Sequence, residues 1–171
     1  MLCTTTERLR LRPLNENDAP FVLQLYNTEG FLRFVGDKKI HSTHAARQYI
    51  VDGPVAMYQS KGIGLYLAEH KTTAAPLGVC GLLKRDSLQD VDLGYGFLPE
   101  YSGCGYALEA AEAVIQFARK QLKLASVVAM TSADNVRSKG LLSKLGFSFV
   151  ETIEDPEQSA IIELYRVGFQ P

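Results

Sequence analysis

A glycine-rich turn leads directly into a long amphipathic helix in the second half of the chain. The helix is predicted because apolar residues repeat at three- and four-residue steps, with charged residues on the opposite side. The apolar positions are Ala107, Ala110, Ala111, Val114, Phe117 and Ala118, and the charged ones are Glu109, Glu112, Arg119 and Lys120. A strand is predicted just before the turn. The junction therefore indicates a fold in which helices pack on a sheet.

The turn itself has the composition of an anion-binding site. It reads Leu98-Pro99-Glu100-Tyr101-Ser102-Gly103-Cys104-Gly105-Tyr106-Ala107. The first N–H groups of a helix have no carbonyl partners and carry the positive end of the helix dipole, so the motif predicts a phosphate or pyrophosphate site. Gly103 and Gly105 would let a ligand approach the backbone closely. Taken alone, the motif fits equally well a tight turn that needs glycine and binds nothing.

Two familiar phosphate loops do not fit this turn. A Walker A loop requires Lys followed by Ser or Thr after its last glycine, whereas Tyr106 and Ala107 follow here. A dinucleotide-binding fingerprint would place its third glycine at Leu108, and it would follow the first strand of a βαβ unit. Nucleotide hydrolysis and hydride transfer are therefore excluded as functions of this motif.

The remaining pattern predicts an α+β domain that spans residues 1–171 without linkers or repeats. Strands are expected over 8–13, 65–70, 77–84, 91–98, 126–131, 147–153 and 160–168. Helices are expected after the capping residues at 15–18, over 42–58 with a break near Gly53-Pro54 left open, along the long helix, and over 135–145. This order predicts a mixed, mostly antiparallel sheet of about seven strands with helices on both faces.

Composition excludes several classes of protein. The 171 residues carry 18 Lys and Arg against 19 Asp and Glu, which argues against a general nucleic-acid binder. No apolar stretch approaches the roughly 20 residues of a membrane helix, and the amino terminus lacks a secretion-signal pattern. Cys3, Cys80 and Cys104 have no metal-ligand spacing, and His41 and His44 have no evident third ligand, so no metal is expected. The expectation is a soluble, cytoplasmic protein, either a monomer or a homodimer.

A second motif follows the strand predicted over 126–131. Asn135 is placed to cap a helix, and Ser138 lies one turn further along the same side. Gly146 ends that helix. Read alone, these residues describe an ordinary capped helix.

The motifs together resemble the GNAT superfamily of N-acetyltransferases, and more closely its RimJ/RimL group. The matching segments are Thr6-Glu7-Arg8-Leu9-Arg10-Leu11-Arg12-Pro13-Leu14 with Asp18-Ala19, Leu93-Gly94-Tyr95 with Pro99-Glu100-Tyr101, Gly103-Cys104-Gly105-Tyr106-Ala107 with Glu109-Ala110, and Asn135-x-x-Ser138 with Lys144-Leu145-Gly146-Phe147. The resemblance covers nearly the whole chain. Four motifs in the same order are far more specific than one.

The resemblance implies that acetyl-CoA is the cosubstrate. Its pyrophosphate would meet the backbone amides of Gly103, Cys104, Gly105, Tyr106 and Ala107, with Ser102 opening the loop where the family has Gln, Arg or an aromatic residue. The pantetheine arm would lie between splayed fourth and fifth strands, beside Phe97 and Leu98. The N–H of Leu98 would polarise the acetyl carbonyl, and Asn135 and Ser138 would contact the arm near the sulfur.

The resemblance also implies direct attack of an amine in a ternary complex, without a covalent enzyme intermediate. Asp92 is the candidate base, since it lies on the fourth predicted strand near the expected acceptor. It fits equally well a solvent-facing strand residue. Many family members carry a tyrosine as general acid where this chain has Leu142, so Ser138 or water would replace it.

The acceptor is expected to be a primary amine, either a protein N-terminus or a small molecule such as a polyamine, an amino acid or an aminoglycoside. Its pocket would come from residues about 26–45 and the turn at 153–160, where the acidic run 154–157 either attracts a cation or forms a hairpin tip. The alternative function is a non-catalytic acyl-CoA-binding or regulatory module of the same fold.

Overall fold

The computed structural model describes residues 1–155 and 158–170. Over these residues the strands are β1 (Thr4–Thr5), β2 (Leu9–Pro13), β3 (Leu65–His70), β4 (Pro76–Leu83), β5 (Asp92–Phe97), β6 (Ser126–Thr131), β7 (Ser148–Glu154) and β8 (Ile161–Gly168). They form one sheet in the order β1-β2-β3-β4-β5-β6-β8-β7. All neighbours are antiparallel except β5 and β6, so the sheet is mixed and mostly antiparallel as expected.

The helices are α1 (Ala19–Tyr26), α2 (Glu29–Phe34), α3 (Thr43–Ile50), α4 (Ala56–Lys61), α5 (Tyr106–Lys120) and α6 (Val136–Lys144). Short 3₁₀ turns cover Glu16–Asp18 and Pro99–Tyr101. A π-helical turn, Val51–Val55, joins α3 to α4 and contains Pro54. Proline lacks an N–H and clashes with the preceding turn, and the wider π turn accommodates it, so the helix continues through Gly53-Pro54.

Two short elements were not expected from the sequence. The strand β1 has two residues, which is too short for an alternating pattern to be visible. The helix α2 has six residues, and its N-cap Thr28 accepts a hydrogen bond from the N–H of Phe31. Thr28 before Glu29 is a capping signal that would have indicated this helix start.

The sheet separates two apolar layers. On one side α5 packs against β4 and β5, and Val114 and Phe117 share one apolar layer with Tyr66 and Leu93. On the other side α1 and α3 share a second apolar layer with the opposite face of the sheet, formed by Val22, Leu25, Ile50, Leu65 and Leu67. We call these two sides the α5 face and the α1 face. Side chains alternate along a strand, so neighbouring residues of β5 belong to different faces.

The strands β5 and β6 diverge after a single point of pairing. Asp92 and Val128 are the paired residues, and the N–H of Val128 donates to the carbonyl of Val91 at 3.0 Å. Because β1 adds one strand at the start, β5 and β6 are the fourth and fifth strands of the sequence-based prediction. The splay expected between those strands is confirmed, and it opens a gap in the middle of the sheet.

Candidate active site

The turn before α5 presents a group of unsatisfied backbone donors. Gly103 and Gly105 have φ angles of 75° and 81°, which is the left-handed region that glycine adopts without strain. Gly105 is the N-cap of the 15-residue helix α5 and provides no side-chain cap. Within residues 1–155 and 158–170, the N–H groups of residues 103–107 donate to no protein acceptor. The turn is exposed at Ser102, Gly103, Cys104 and Gly105, so a ligand could reach these donors.

A cleft of about 640 Å³ lies where β5 and β6 diverge. Asp92 and Ser138, which the sequence analysis assigned to catalysis, both line it, and so does Asn135. The structure therefore brings Asp92 of β5 together with the Asn135–Ser138 motif at the start of α6. The α1 side of the cleft is walled by aromatic and apolar residues, among them Tyr26, Phe31, Phe34, Val35 and Tyr49.

Asp92 is a buried residue, not a solvent-facing one. Its side chain is 3% exposed, and the Nε of Arg85 lies 3.2 Å from one carboxylate oxygen and 3.3 Å from the other. By the alternation of β5, Asp92 faces the α1 side together with Gly94 and Gly96. A methyl group added at Gly96 would meet the ring of Phe31 at 3.2 Å, which confirms the direction of that face.

Ser138 and Tyr95 share a hydrogen bond between their hydroxyl groups. Tyr95 packs on the α5 face, and burial raises its pKa to about 12. A phenol with this pKa stays protonated at neutral pH, so it can donate to Ser138. Sequence reasoning quoted Tyr95 only as part of a motif. Tyr95 lies three residues after Asp92 on the same strand, so side-chain alternation places it on the opposite face of the sheet. That alternation was the sequence signal that separated Tyr95 from Asp92.

Asn135 has the capping role that its position suggested. Its side-chain oxygen accepts a hydrogen bond from the N–H of Ser138 at 3.2 Å. Leu142, at the position where the family resemblance implies a tyrosine, is fully buried in the apolar layer on the α5 face. No hydroxyl reaches the cleft from that position.

The N–H of Leu98 is not available as the expected donor, and this prediction is wrong. It donates to the carbonyl of Leu77 at 2.9 Å, and the Leu98 side chain is buried on the α1 face. Hydrogen-bonding directions alternate along a strand, so the N–H groups of Tyr95 and Phe97 point away from β4 and toward the gap beside β6. The sequence could not show which strand the N–H of Leu98 faces.

Thr131 is a second residue that sequence reasoning missed. It ends β6, lines the cleft and is 6% exposed. Its hydroxyl oxygen has no hydrogen-bond partner among the residues that the structure describes. A buried hydroxyl without a partner costs free energy in the unliganded protein, so this atom is a candidate ligand contact.

The remaining expectations concern the cysteines, metal binding, membrane-spanning helices and the acidic run at 154–157. Cys104 is exposed and Cys80 is buried, and burial raises the pKa of the Cys80 thiol. Across the described ranges, no three His, Cys, Asp or Glu residues are grouped as metal ligands. No helix of the described chain is both long and apolar enough to cross a bilayer. Of the acidic run at 154–157, Asp155 lines the cleft, whereas 156 and 157 lie outside the described residues.

Comparison with known proteins assigns this geometry to a family. Residues 8–148 match the sequence profile described as acetyltransferase (GNAT) domain. The uncharacterized N-acetyltransferase YoaA of Bacillus subtilis is 28% identical over 145 residues, which are 83% of this chain and 80% of YoaA.

Solved structures show the same fold. An acetyltransferase from Agrobacterium tumefaciens superposes with a TM-score of 0.83 at 24% identity, over 99% of this chain and 95% of that one. RimL, a ribosomal L7/L12 alpha-N-protein acetyltransferase solved in complex with coenzyme A, superposes with a TM-score of 0.84 at 15% identity, over 98% of both chains. The profile match covers most of the chain, the splayed strands and the exposed donor turn agree with it, and the chain therefore belongs to the GNAT family as an acetyl-CoA-dependent N-acetyltransferase of the RimJ/RimL type.

Proposed function

We propose that this protein transfers an acetyl group from acetyl-CoA to a primary amine by direct attack in a ternary complex. The observation that carries the proposal is that β5 places a carboxylate and a pair of hydroxyl groups on its two opposite faces. Asp92 faces the α1 side of the gap, and the Tyr95–Ser138 pair faces the α5 side. Three residues of strand separate Asp92 from Tyr95 by roughly 10 Å, which leaves room for a thioester and an amine between them.

The donor would enter from the α5 side. The unsatisfied N–H groups of residues 103–107 would bind the pyrophosphate, since they lie at the positive end of α5. The pantetheine arm would then run into the gap between β5 and β6, past Asn135, Ser138 and the unpartnered hydroxyl of Thr131. The N–H groups of Tyr95 and Phe97 would replace that of Leu98 as donors to the thioester carbonyl.

The reaction forms one C–N bond and breaks one C–S bond. The amine nitrogen attacks the acetyl carbon, and its proton leaves to Asp92 directly or through water. Arg85 compensates the buried charge of Asp92, so the carboxylate can be held inside the cleft in its ionised form. The sulfur departs as a thiolate, to which the Ser138 hydroxyl would donate. A thiol has a pKa of about 8.5, so a weak donor is sufficient at this position.

The acceptor would enter from the α1 side. Tyr26, Phe31, Phe34 and Tyr49 make this wall largely aromatic. Such a wall favours an amine attached to an apolar or aromatic group, whether a peptide N-terminus or a small molecule, over an extended polycation.

The test is an acetyl-transfer screen that measures release of free thiol from acetyl-CoA with peptide N-termini, aromatic amines, polyamines and aminoglycosides. We expect turnover with at least one apolar amine. Asp92→Asn should bind acetyl-CoA normally in calorimetry and lose most of the turnover. Asp90→Asn is the matched control. Asp90 lies two residues before Asp92, pairs with Arg166 at 3.0 Å and does not line the cleft.

The screen also separates the alternative function. A wild-type protein that binds acetyl-CoA and acetylates no amine of the panel would support a non-catalytic acyl-CoA-binding module. Failure to bind acetyl-CoA in calorimetry would contradict the proposed role of the 103–107 turn.

A further inference from the structure

We propose that Arg8 is a positioning residue for the acetyl donor, which holds the peptide group between Cys104 and Gly105 so that the turn presents its N–H groups to the pyrophosphate. This inference rests on the proposed function of the 103–107 turn. Arg8 lies just before β2, far from the turn in sequence, and only the fold brings the two together.

Glu109, in the first turn of α5, anchors Arg8. The Nε of Arg8 donates to one carboxylate oxygen at 2.7 Å, and the backbone N–H of Arg8 donates to the other at 2.7 Å. The hydroxyl of Thr6 donates to that second oxygen at 2.6 Å. The backbone bond fixes the main chain of Arg8 against this carboxylate, and the charge-assisted Nε bond holds the guanidinium beside it. The segment before β2 is thereby tied to the start of α5.

From this anchored position Arg8 contacts the turn in two ways. Its Nη1 donates to the carbonyl oxygen of Cys104 at 2.8 Å. Its guanidinium carbon lies 4.3 Å from the centre of the Tyr106 ring, within cation–π distance. A methyl group added at Gly105 would lie 3.3 Å from Nη2, so the glycine also leaves space for the guanidinium.

The bond to Cys104 determines the direction of a neighbouring donor. In a trans peptide the carbonyl and the N–H point to opposite sides of the same plane. Since the carbonyl of Cys104 points toward Arg8, the N–H of Gly105 must point away from it, in the direction open to a ligand. Glycine readily adopts several backbone conformations, so this peptide could rotate if Arg8 did not hold it. A rotated peptide would present a carbonyl to the phosphate in place of an N–H.

The contribution of Arg8 is conformational more than electrostatic. The hydrogen bond with Glu109 raises the pKa of Arg8, so the guanidinium remains charged, but Glu109 compensates that charge at short range. Loss of Arg8 should therefore affect recognition of the pyrophosphate and leave the acetyl, thioester and acceptor sites unchanged.

Two acetyl donors separate this role from a general structural one. Acetyl-CoA carries the pyrophosphate, whereas S-acetylpantetheine has the same thioester and arm without it. For Arg8→Met, which keeps an unbranched side chain but has no donors, we expect KM for acetyl-CoA to rise about tenfold. Its kcat, and all constants with S-acetylpantetheine, should stay within about twofold of wild type.

Arg10→Met is the matched control. Arg10 lies two residues further along, pairs with Glu69 and has no contact with the turn. Glu69 keeps Arg12 as a partner at 3.2 Å, so the control does not leave a buried charge alone. For Arg10→Met, KM and kcat with acetyl-CoA and with S-acetylpantetheine should equal those of the wild-type protein.

Equal loss with both donors, or equal behaviour of Arg8→Met and Arg10→Met, would overturn the inference. A wild-type protein that transfers no acetyl group from either donor would instead contradict the proposed function. In that case calorimetric affinities of the two variants for CoA and for pantetheine still decide the role of Arg8.

Discussion

Asp92 and Arg85 form an ion pair in the lining of the cleft, in which the arginine Nε lies 3.2 Å and 3.3 Å from the two carboxylate oxygens. The Asp92 side chain is 3% exposed and that of Arg85 is 26% exposed. The pair thus connects the loop before β5 to the first residue of that strand, inside the gap where the sheet opens. A charge that the fold buries at this point needs its partner.

Removal of Arg85 should therefore destabilise the fold. We expect Arg85→Met to lower the free energy of unfolding by about 2 kcal/mol, because it leaves the Asp92 charge less compensated, with partial exposure of Arg85 moderating the loss. Urea unfolding measures it. The double variant Asp92→Asn with Arg85→Met should lose less than the sum of the single variants. Strict additivity would show that the two side chains do not interact.

Tyr95→Phe should reduce turnover without weakening donor binding. Because the pKa of Tyr95 is raised to about 12, its hydroxyl is protonated and orients that of Ser138. Loss of one such bond should lower kcat by about fivefold and leave KM for acetyl-CoA within twofold. Tyr95→Phe should have no further effect when Ser138→Ala is already present.

The control for Tyr95 is Tyr165→Phe. The pKa of Tyr165 is also raised to about 12, because its hydroxyl bonds to Glu163, but this tyrosine does not line the cleft. Its removal should leave kcat unchanged. If both variants lost turnover equally, the specific role of Tyr95 would have to be abandoned.

Thr131→Val should separate stability from donor affinity. The substitution removes a buried hydroxyl that lacks a protein partner among the described residues, so the free energy of unfolding should stay constant or rise by up to about 1 kcal/mol. Because the proposed function places this hydroxyl beside the pantetheine arm, KM should rise for acetyl-CoA and for S-acetylpantetheine alike. An unchanged KM with both donors would contradict that contact. Thr131→Ser keeps the hydroxyl and loses a buried methyl group. Thermal melting should therefore show lower stability, whereas KM for both donors should stay at the wild-type value.

Gly105→Ala should harm both stability and donor binding. The φ angle of 81° strains any residue with a Cβ, at a cost of about 1 kcal/mol. The new methyl group would also press on Arg8 at 3.3 Å. Gly140→Ala is the opposite case, since this glycine lies inside α6 with nothing within 4 Å of an added Cβ. That variant should gain about 0.5–1 kcal/mol from helix propensity, with unchanged affinity in calorimetry.

The hydrogen bonds that Glu109 accepts from Thr6 and Arg8 should make the free energy of unfolding depend on pH in a defined way. Burial raises the pKa of Glu109, but hydrogen bonds from Thr6 and Arg8 outweigh it and hold the pKa below the usual 4.5. A carboxyl group whose pKa is lower in the folded than in the unfolded protein stabilises the folded state fully at pH values above its unfolded-state pKa. This contribution is lost as the pH falls through the folded-state pKa. The stability difference between wild type and Glu109→Gln, measured by urea unfolding, should therefore be constant near neutral pH and shrink as the pH falls below 4.5. A difference that grew on acidification would contradict this account.

The parts of the site that depend on local sequence were predictable. The turn at 102–106 and helix α5 follow from glycine spacing and from a three-to-four-residue apolar period, both of which act over a few residues. The strands at 65–70 and 126–131 and the cap at Asn135 were predicted for the same reason. Sequence likeness extended this to the family, and the profile match over residues 8–148 confirmed it.

Only the tertiary structure decided which of these groups meet. Strand register determines that Leu98 donates to Leu77, and strand divergence determines that Thr131 is left without a partner. Tyr95 reaches Ser138 across 43 residues of chain, and Arg8 reaches Glu109 across 101. Such contacts depend on how strands align and layers pack. The periodicity of apolar residues indicates which face of a strand or helix a residue lies on. It does not indicate which residue, distant in the sequence, contacts that face in the folded protein.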